Sequence, residues 1–89
     1  MKTAFKKSFA KDLKKRSQDK KLLTHIQEII QAVEHTENLQ EINNLKKLKV
    51  ESGYYRIRLG DYRIGLKIEK ETAVFVRLLH RREIYRYFP

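Results

Sequence analysis

From Tyr54 to Ile68 the chain alternates in hydropathy with a period of two, interrupted once, at Gly60-Asp61. Before the interruption Tyr55, Ile57 and Leu59 alternate with Tyr54, Arg56 and Arg58. After it Tyr62, Ile64, Leu66 and Ile68 alternate with Arg63, Gly65 and Lys67. A period of two is the repeat of a strand with one buried face. Glycine accepts positive φ and aspartate tolerates turn geometry, so Gly60-Asp61 predicts a two-residue hairpin turn. Such a turn fixes the register: Leu59 faces Tyr62, Arg58 faces Arg63, Ile57 faces Ile64 and Arg56 faces Gly65. All apolar side chains then share one side, an arrangement that a one-residue slip would scramble. The other side gathers Arg56, Arg58 and Arg63. Like charges opposed across a sheet destabilise it, so their accumulation points to an anion held there. Gly65, opposite Arg56, leaves backbone open to a close approach.

With 89 residues the chain is read as one domain, 1–89, with a modest core. A formal net charge of +10 in so small a domain predicts polyanionic partners, with nucleic acid first, an acidic protein second and a membrane surface third. There is no cysteine, which excludes a disulfide framework and a thiolate metal site. No cofactor and no metal are expected. The segment Met1-Lys-Thr-Ala-Phe-Lys-Lys7 carries charge without a following apolar region, and no apolar run has membrane-spanning length. A cytoplasmic protein without a membrane partner is the expectation.

The rest of the chain supplies partners for the hairpin. Residues 2–7 suit a short edge strand. Ser8 is a candidate N-cap for a helix with Phe9 and Leu13 on one face, closed by Lys14-Lys-Arg16. Leu22, Ile26, Ile29 and Val33 recur at helical spacing, which predicts a helix over about 19–35, with Asp19 at its start. A helical turn is expected at Leu39–Ile42, and a strand over Leu45–Val50 with Leu48 and Val50 opposite Lys47 and Lys49. A three-residue turn at Glu69–Glu71 would set Val74, Val76 and Leu78 with Ile64 and Leu66, and Arg77 beside Arg63. Ile84 and Phe88, four apart, suggest a short C-terminal helix. The fold class is therefore α+β: a small antiparallel sheet, two N-terminal helices packed on one face, and a short C-terminal helix.

The cationic strand residues, the cluster His80-Arg81-Arg82 and Tyr85 would converge at one end of that sheet. The set suits RNA. Guanidiniums grip phosphate oxygens in pairs and stay charged at any working pH. A tyrosine stacks an unpaired base. RNA cleavage can use the 2′-hydroxyl as nucleophile, which leaves the protein to orient it, neutralise the phosphorane and protonate the leaving oxygen. His80 is the residue here whose side-chain class suits proton transfer at neutral pH.

Tyr55-Arg-Ile-Arg-Leu-Gly-Asp-Tyr-Arg-Ile64 followed by His80-Arg-Arg-Glu-Ile-Tyr85 resembles the RelE/ParE superfamily of bacterial and archaeal type II toxins. The resemblance runs from the Phe9–Leu13 helix to the end and is strongest over Leu48–Tyr85. Within the superfamily it is more similar to RelE, a messenger-RNA interferase acting in the ribosomal A site. What the resemblance implies is a metal-independent, ribosome-dependent endoribonuclease neutralised by an acidic cognate antitoxin, with the ribosome and messenger RNA as further partners. Arg56 and Arg58 match basic strand residues that bind phosphate and take part in proton transfer, lysines in RelE. Arg63 matches a phosphate ligand, Arg81 the residue that stabilises the transition state, and Tyr85 the one that stacks on a base. This chain has two fewer residues between the last two positions, so Arg82 is an alternative to Arg81. His80 falls where RelE has a lysine, though some relatives place a catalytic histidine near the end. Lys47, Lys49, Arg77 and Arg82 are assigned to RNA contact around that centre. Two competing readings remain at this stage: a ParE-like toxin that inhibits DNA gyrase by binding, and a plain nucleic-acid-binding module.

Overall fold

A computed structural model describes residues 1–89. The expected hairpin forms as β3 (Tyr54–Leu59) and β4 (Tyr62–Glu69), with Leu59 on Tyr62, Arg58 on Arg63, Ile57 on Ile64 and Arg56 on Gly65. Gly60 supplies the positive φ, 59°, that the turn requires. Around the hairpin stand β1 (Lys2–Phe5), β2 (Leu45–Lys47) and β5 (Thr72–His80), in the order β1-β5-β4-β3-β2. The α+β arrangement is borne out, with one difference in the sheet: β1 joins β5 in parallel, so the sheet is mixed. The β4–β5 connection is a two-residue turn, with Glu69 paired to Thr72 and Lys70 at φ 57°.

Helix α1 (Lys7–Lys15) and α2 (Lys20–His35) cover one face. Asp19 caps α2 as expected: the Leu22 N–H donates to its carboxylate at 3.1 Å. The main core joins Phe9, Leu22, Ile26 and Val33 of the helices to Ile57, Ile64, Leu66, Phe75 and Leu78 of the sheet. Ser8 does not cap α1. Its hydroxyl donates to the Val76 carbonyl at 2.6 Å, tying the helix along the outer edge of β5 where β1 has ended. A single 3₁₀ turn, Leu39–Glu41, stands in the connection to β2. No helix is long and apolar enough to cross a membrane.

The opposite face carries a smaller core. Helix α3 (Ile84–Tyr87) folds back over the sheet, and Ile84 and Phe88 pack with Leu48 and Leu79. The rest of that face, over β3 and the start of β4, holds the arginines.

A bulge between Gly65 and Leu66 changes the expected register of β5. With the two-residue turn in place of the expected three-residue one, Phe75 opposes Leu66, and beyond the bulge Leu78 opposes Ile64 and Arg77 opposes Gly65 rather than Arg63. Val74-Phe-Val76 is uniformly apolar, so hydropathy carried no mark of the extra residue.

Candidate active site

Arg58 and Arg63 are directly opposed on β3 and β4, and Arg56 follows two residues along the same face. Burial lowers the Arg63 guanidinium below the ordinary arginine value, and the like charges of Arg56, Arg58 and then Arg81 lower it further, while Tyr85 acts the other way. An arginine so shifted still keeps its proton at any working pH. Four cations thus share one field, and Tyr85 lies within it.

Local structure aims each member. Asn44, at φ 64°, turns its carbonyl toward β3, where it accepts from the Arg58 N–H at 3.1 Å and from the Arg56 guanidinium at 2.8 Å. The Asn44 side-chain oxygen accepts from Arg58 at 3.4 Å. Arg63 donates to the carbonyls of Gly60 and Tyr62, each at 2.8 Å, and so curls back over the turn. Arg81 is held at the hairpin tip: its N–H donates to the Asp61 carbonyl at 2.7 Å, and its Nε lies 3.7 Å from the Asp61 carboxylate. Arg56 Nε donates to the Tyr85 hydroxyl at 3.4 Å. The Tyr85 side chain is 62% exposed, so the ring stands free over the site.

Lys46, Lys47 and Lys49 border an adjoining groove of about 350 Å³ with Tyr85 and Phe88. Within β2 it is Lys46 that opposes Arg56, whereas Lys47 opposes Tyr55 and belongs by parity to the helix face. Lys46 and Asn44 were missed from sequence. The Asn43-Asn44 pair, tolerant of left-handed backbone, was the one signal for the latter.

Two of the expected site residues, Arg77 and His80, have surroundings apart from the arginine cluster. Arg77 does not stand beside Arg63. It reaches over the outer edge of β5 to Asp12 of α1, with Nε at 2.8 Å from one carboxylate oxygen and a terminal nitrogen at 3.2 Å from the other. Asp12 is 5% exposed and also accepts the Leu78 N–H at 2.9 Å. Bonding to Asp12 raises Arg77 above the ordinary arginine value, against the lowering by burial. This cation joins α1 to the sheet. His80 pairs with Tyr62 and therefore lies on the helix face, edge-on to the Tyr62 ring with centroids 5.8 Å apart. The sheet separates it from the arginines. Arg82 lies in the exposed turn after β5, and it is Arg81 rather than Arg82 that acts on Arg63.

Gly65 leaves its space to the protein itself. A Cβ built there would lie 2.7 Å from the Phe88 ring.

The sequence profile of the ParE toxin of the type II toxin-antitoxin system, parDE, matches residues 4–85. The chain is 43% identical to Toxin RelE3 of Methanocaldococcus jannaschii over 94 residues, covering all of both chains. Among solved structures, the RelB-RelE antitoxin-toxin complex from Methanococcus jannaschii superposes with a TM-score of 0.80 at 40% identity, covering 97% of this chain and 99% of that one. The YoeB dimer from Staphylococcus aureus shares the fold, with a TM-score of 0.75 at 23% identity over 91% of this chain and 97% of that one.

Proposed function

The chain belongs to the ParE toxin family of type II toxin-antitoxin systems, in the RelE/ParE superfamily, and from that premise we propose that it is a ribosome-dependent messenger-RNA endoribonuclease. The observation that carries this reading is the convergence of Arg56, Arg58, Arg63 and Arg81 around an exposed Tyr85.

An anionic phosphorane placed among four guanidiniums gains most at the moment its charge develops, which is the requirement for catalysis by preorganised charge. Arg63 and Arg81 are the phosphate ligands. Arg56 and Arg58, braced by Asn44, hold the flanking phosphate oxygens. The Tyr85 ring stacks a base next to the scissile bond, and its hydroxyl accepts from Arg56. The nucleophile is the RNA's own 2′-hydroxyl: its oxygen bonds to phosphorus as the bond to the 5′-oxygen breaks. Its proton passes to solvent, and the leaving oxygen takes one from solvent. The charge that develops on the phosphorane is met by guanidiniums, so the scheme is metal-independent. His80 takes no part in proton transfer in this scheme. Lys46 and Lys49 hold neighbouring phosphates along the groove that they border.

The partners are the ribosome with its messenger RNA and a cognate acidic antitoxin, all in the cytoplasm. The relative solved as a RelB-RelE complex supports the antitoxin, and the net charge of +10 supports its acidity.

The test is brief induction followed by primer extension on reporter transcripts, with Arg63→Ala and Arg81→Ala in parallel. Cuts inside translated codons, lost in both variants, are the expected result. The matched profile describes a ParE toxin, which favours a second reading, inhibition of DNA gyrase by binding. Intact transcripts with DNA damage would establish that reading instead.

A further inference from the structure

His80 stands where β5 ends and the chain crosses to α3. Its ring packs edge-on against Tyr62, and the Arg16 guanidinium of α1 lies 5.2 Å from the centre of that same tyrosine ring. That face lies across the sheet from Arg56, Arg58 and Arg63. The ring is nonetheless engaged: the Arg82 N–H donates to His80 Nδ1 at 3.2 Å. Directly over this bond, the Glu83 N–H donates to the His80 carbonyl at 2.8 Å. A side-chain acceptor that takes the N–H two residues on, inside a main-chain bond three residues on, is the arrangement that Asn and Asp make in turns.

Arg81 sits between those two bonds. Its own N–H is fixed to the Asp61 carbonyl at 2.7 Å, so the segment from 80 to 83 is pinned at both the histidine and the hairpin tip. The sequence His80-Arg-Arg-Glu83 contains no Gly, Pro, Asn or Asp to set this turn. The histidine supplies what those residues would.

We infer that His80 is a positioning residue: its unprotonated Nδ1 locks the 80–83 turn and thereby places Arg81 against the hairpin tip, within the field of Arg63. For its effect on rate the inference rests on the nuclease reading; for the turn itself it does not.

Asparagine and glutamine separate the possibilities. Asn carries an acceptor at the same number of bonds from Cα as Nδ1, whereas Gln carries it where Nε2 stands. His80→Asn, His80→Gln and His80→Ala would be compared in cleavage on translating ribosomes and in amide hydrogen exchange of Arg82. We expect His80→Asn to cleave within about threefold of wild type, with the Arg82 amide still protected. His80→Gln and His80→Ala should lose about five- to tenfold, the worth of one neutral hydrogen bond, with faster exchange at Arg82. In an Arg81→Ala background His80→Gln should cost nothing further, because its effect passes through Arg81. Equal losses of about 10²- to 10⁴-fold in the Asn and Gln variants would overturn the inference in favour of proton transfer. Unchanged Arg82 exchange in His80→Gln would overturn it directly. If wild-type protein leaves transcripts whole, the nuclease reading fails, and the exchange measurement still decides the turn.

Discussion

The ring of Phe88 lies over Gly65: a Cβ at that glycine would meet Cδ2 at 2.7 Å and both Cδ1 and Cε2 at 2.8 Å. The bare backbone of β4 is therefore a seat for the C-terminus. Through that seat α3 is held on the arginine face, and Tyr85, three residues earlier, is held against Arg56. The missing side chain and the placement of the tyrosine belong to one device.

Gly65→Ala tests it. The added methyl must push the Phe88 ring aside, an overpacking cost of roughly 1–3 kcal/mol. Because α3 is a single turn held on this face through Ile84 and Phe88, we expect it to loosen while the hairpin stays folded. Amide exchange over residues 84–88 should accelerate, and cleavage should fall although every arginine is intact. Phe88→Ala combined with Gly65→Ala should lose less than the sum of the two, since both act on one contact. Strict additivity would refute the coupling.

Asp12 joins α1 to β5 by accepting from Arg77 twice and from the Leu78 N–H once. Asp12→Ala leaves a buried N–H and a guanidinium without their acceptor, which should cost roughly 3–5 kcal/mol. Asp12→Asn keeps an acceptor for Leu78 and should cost less. Thermal unfolding of the two variants checks the order. A midpoint for Asp12→Ala equal to wild type would show that the pair is dispensable.

Repulsion on the arginine face should be visible as stability given up for function. Arg63 is lowered by burial and by Arg56 and Arg58, so its charged form is disfavoured on folding. The sign follows: a base with a lowered value in the fold weakens the fold wherever it is charged, which includes every pH at which the protein works. No pH dependence near neutrality arises from it. Arg58→Gln should therefore stabilise the fold by roughly 0.2–1 kcal/mol of relieved cross-strand repulsion and raise its thermal midpoint. Added salt should narrow the gap between variant and wild type. A lower midpoint for Arg58→Gln would contradict the argument.

The hairpin could be read from sequence because two constraints agreed there, the period of two and a turn that admits one register. The second helix was legible for the same reason, with its apolar stripe and the Asp19 cap pointing to one start. What escaped was set by tertiary geometry. Asp12 lies in a lysine-rich helix that looks solvated, and only the free edge of β5 gives it a partner. The bulge after Gly65 falls opposite an apolar run, and with the two-residue turn it sets Arg77 opposite Gly65 rather than Arg63. His80 is adjacent in sequence to Arg81, yet the strand continues through it, so parity sends the two apart. Asn44 acts largely through its carbonyl, which no side-chain pattern reveals.

Tyr85 offers a ring and a hydroxyl, and the geometry ranks them. The ring is largely exposed, while the hydroxyl has one partner, Arg56, at the long distance of 3.4 Å. Removing the hydroxyl should cost little if stacking is the main role. Losing the ring should cost roughly 1–3 kcal/mol, about five- to 150-fold in binding or rate. We therefore expect Tyr85→Phe to cleave within a few-fold of wild type and Tyr85→Ala to fall well below it. Since the ring acts on a bound base, the Ala variant should also need more ribosome-bound substrate to reach half its maximal rate. Cleavage rates at several substrate concentrations decide the matter. If Tyr85→Phe is as poor as Tyr85→Ala, with the loss confined to the maximal rate, the hydroxyl is the working group, and Tyr85 supplies the proton to the leaving oxygen rather than a surface for the base.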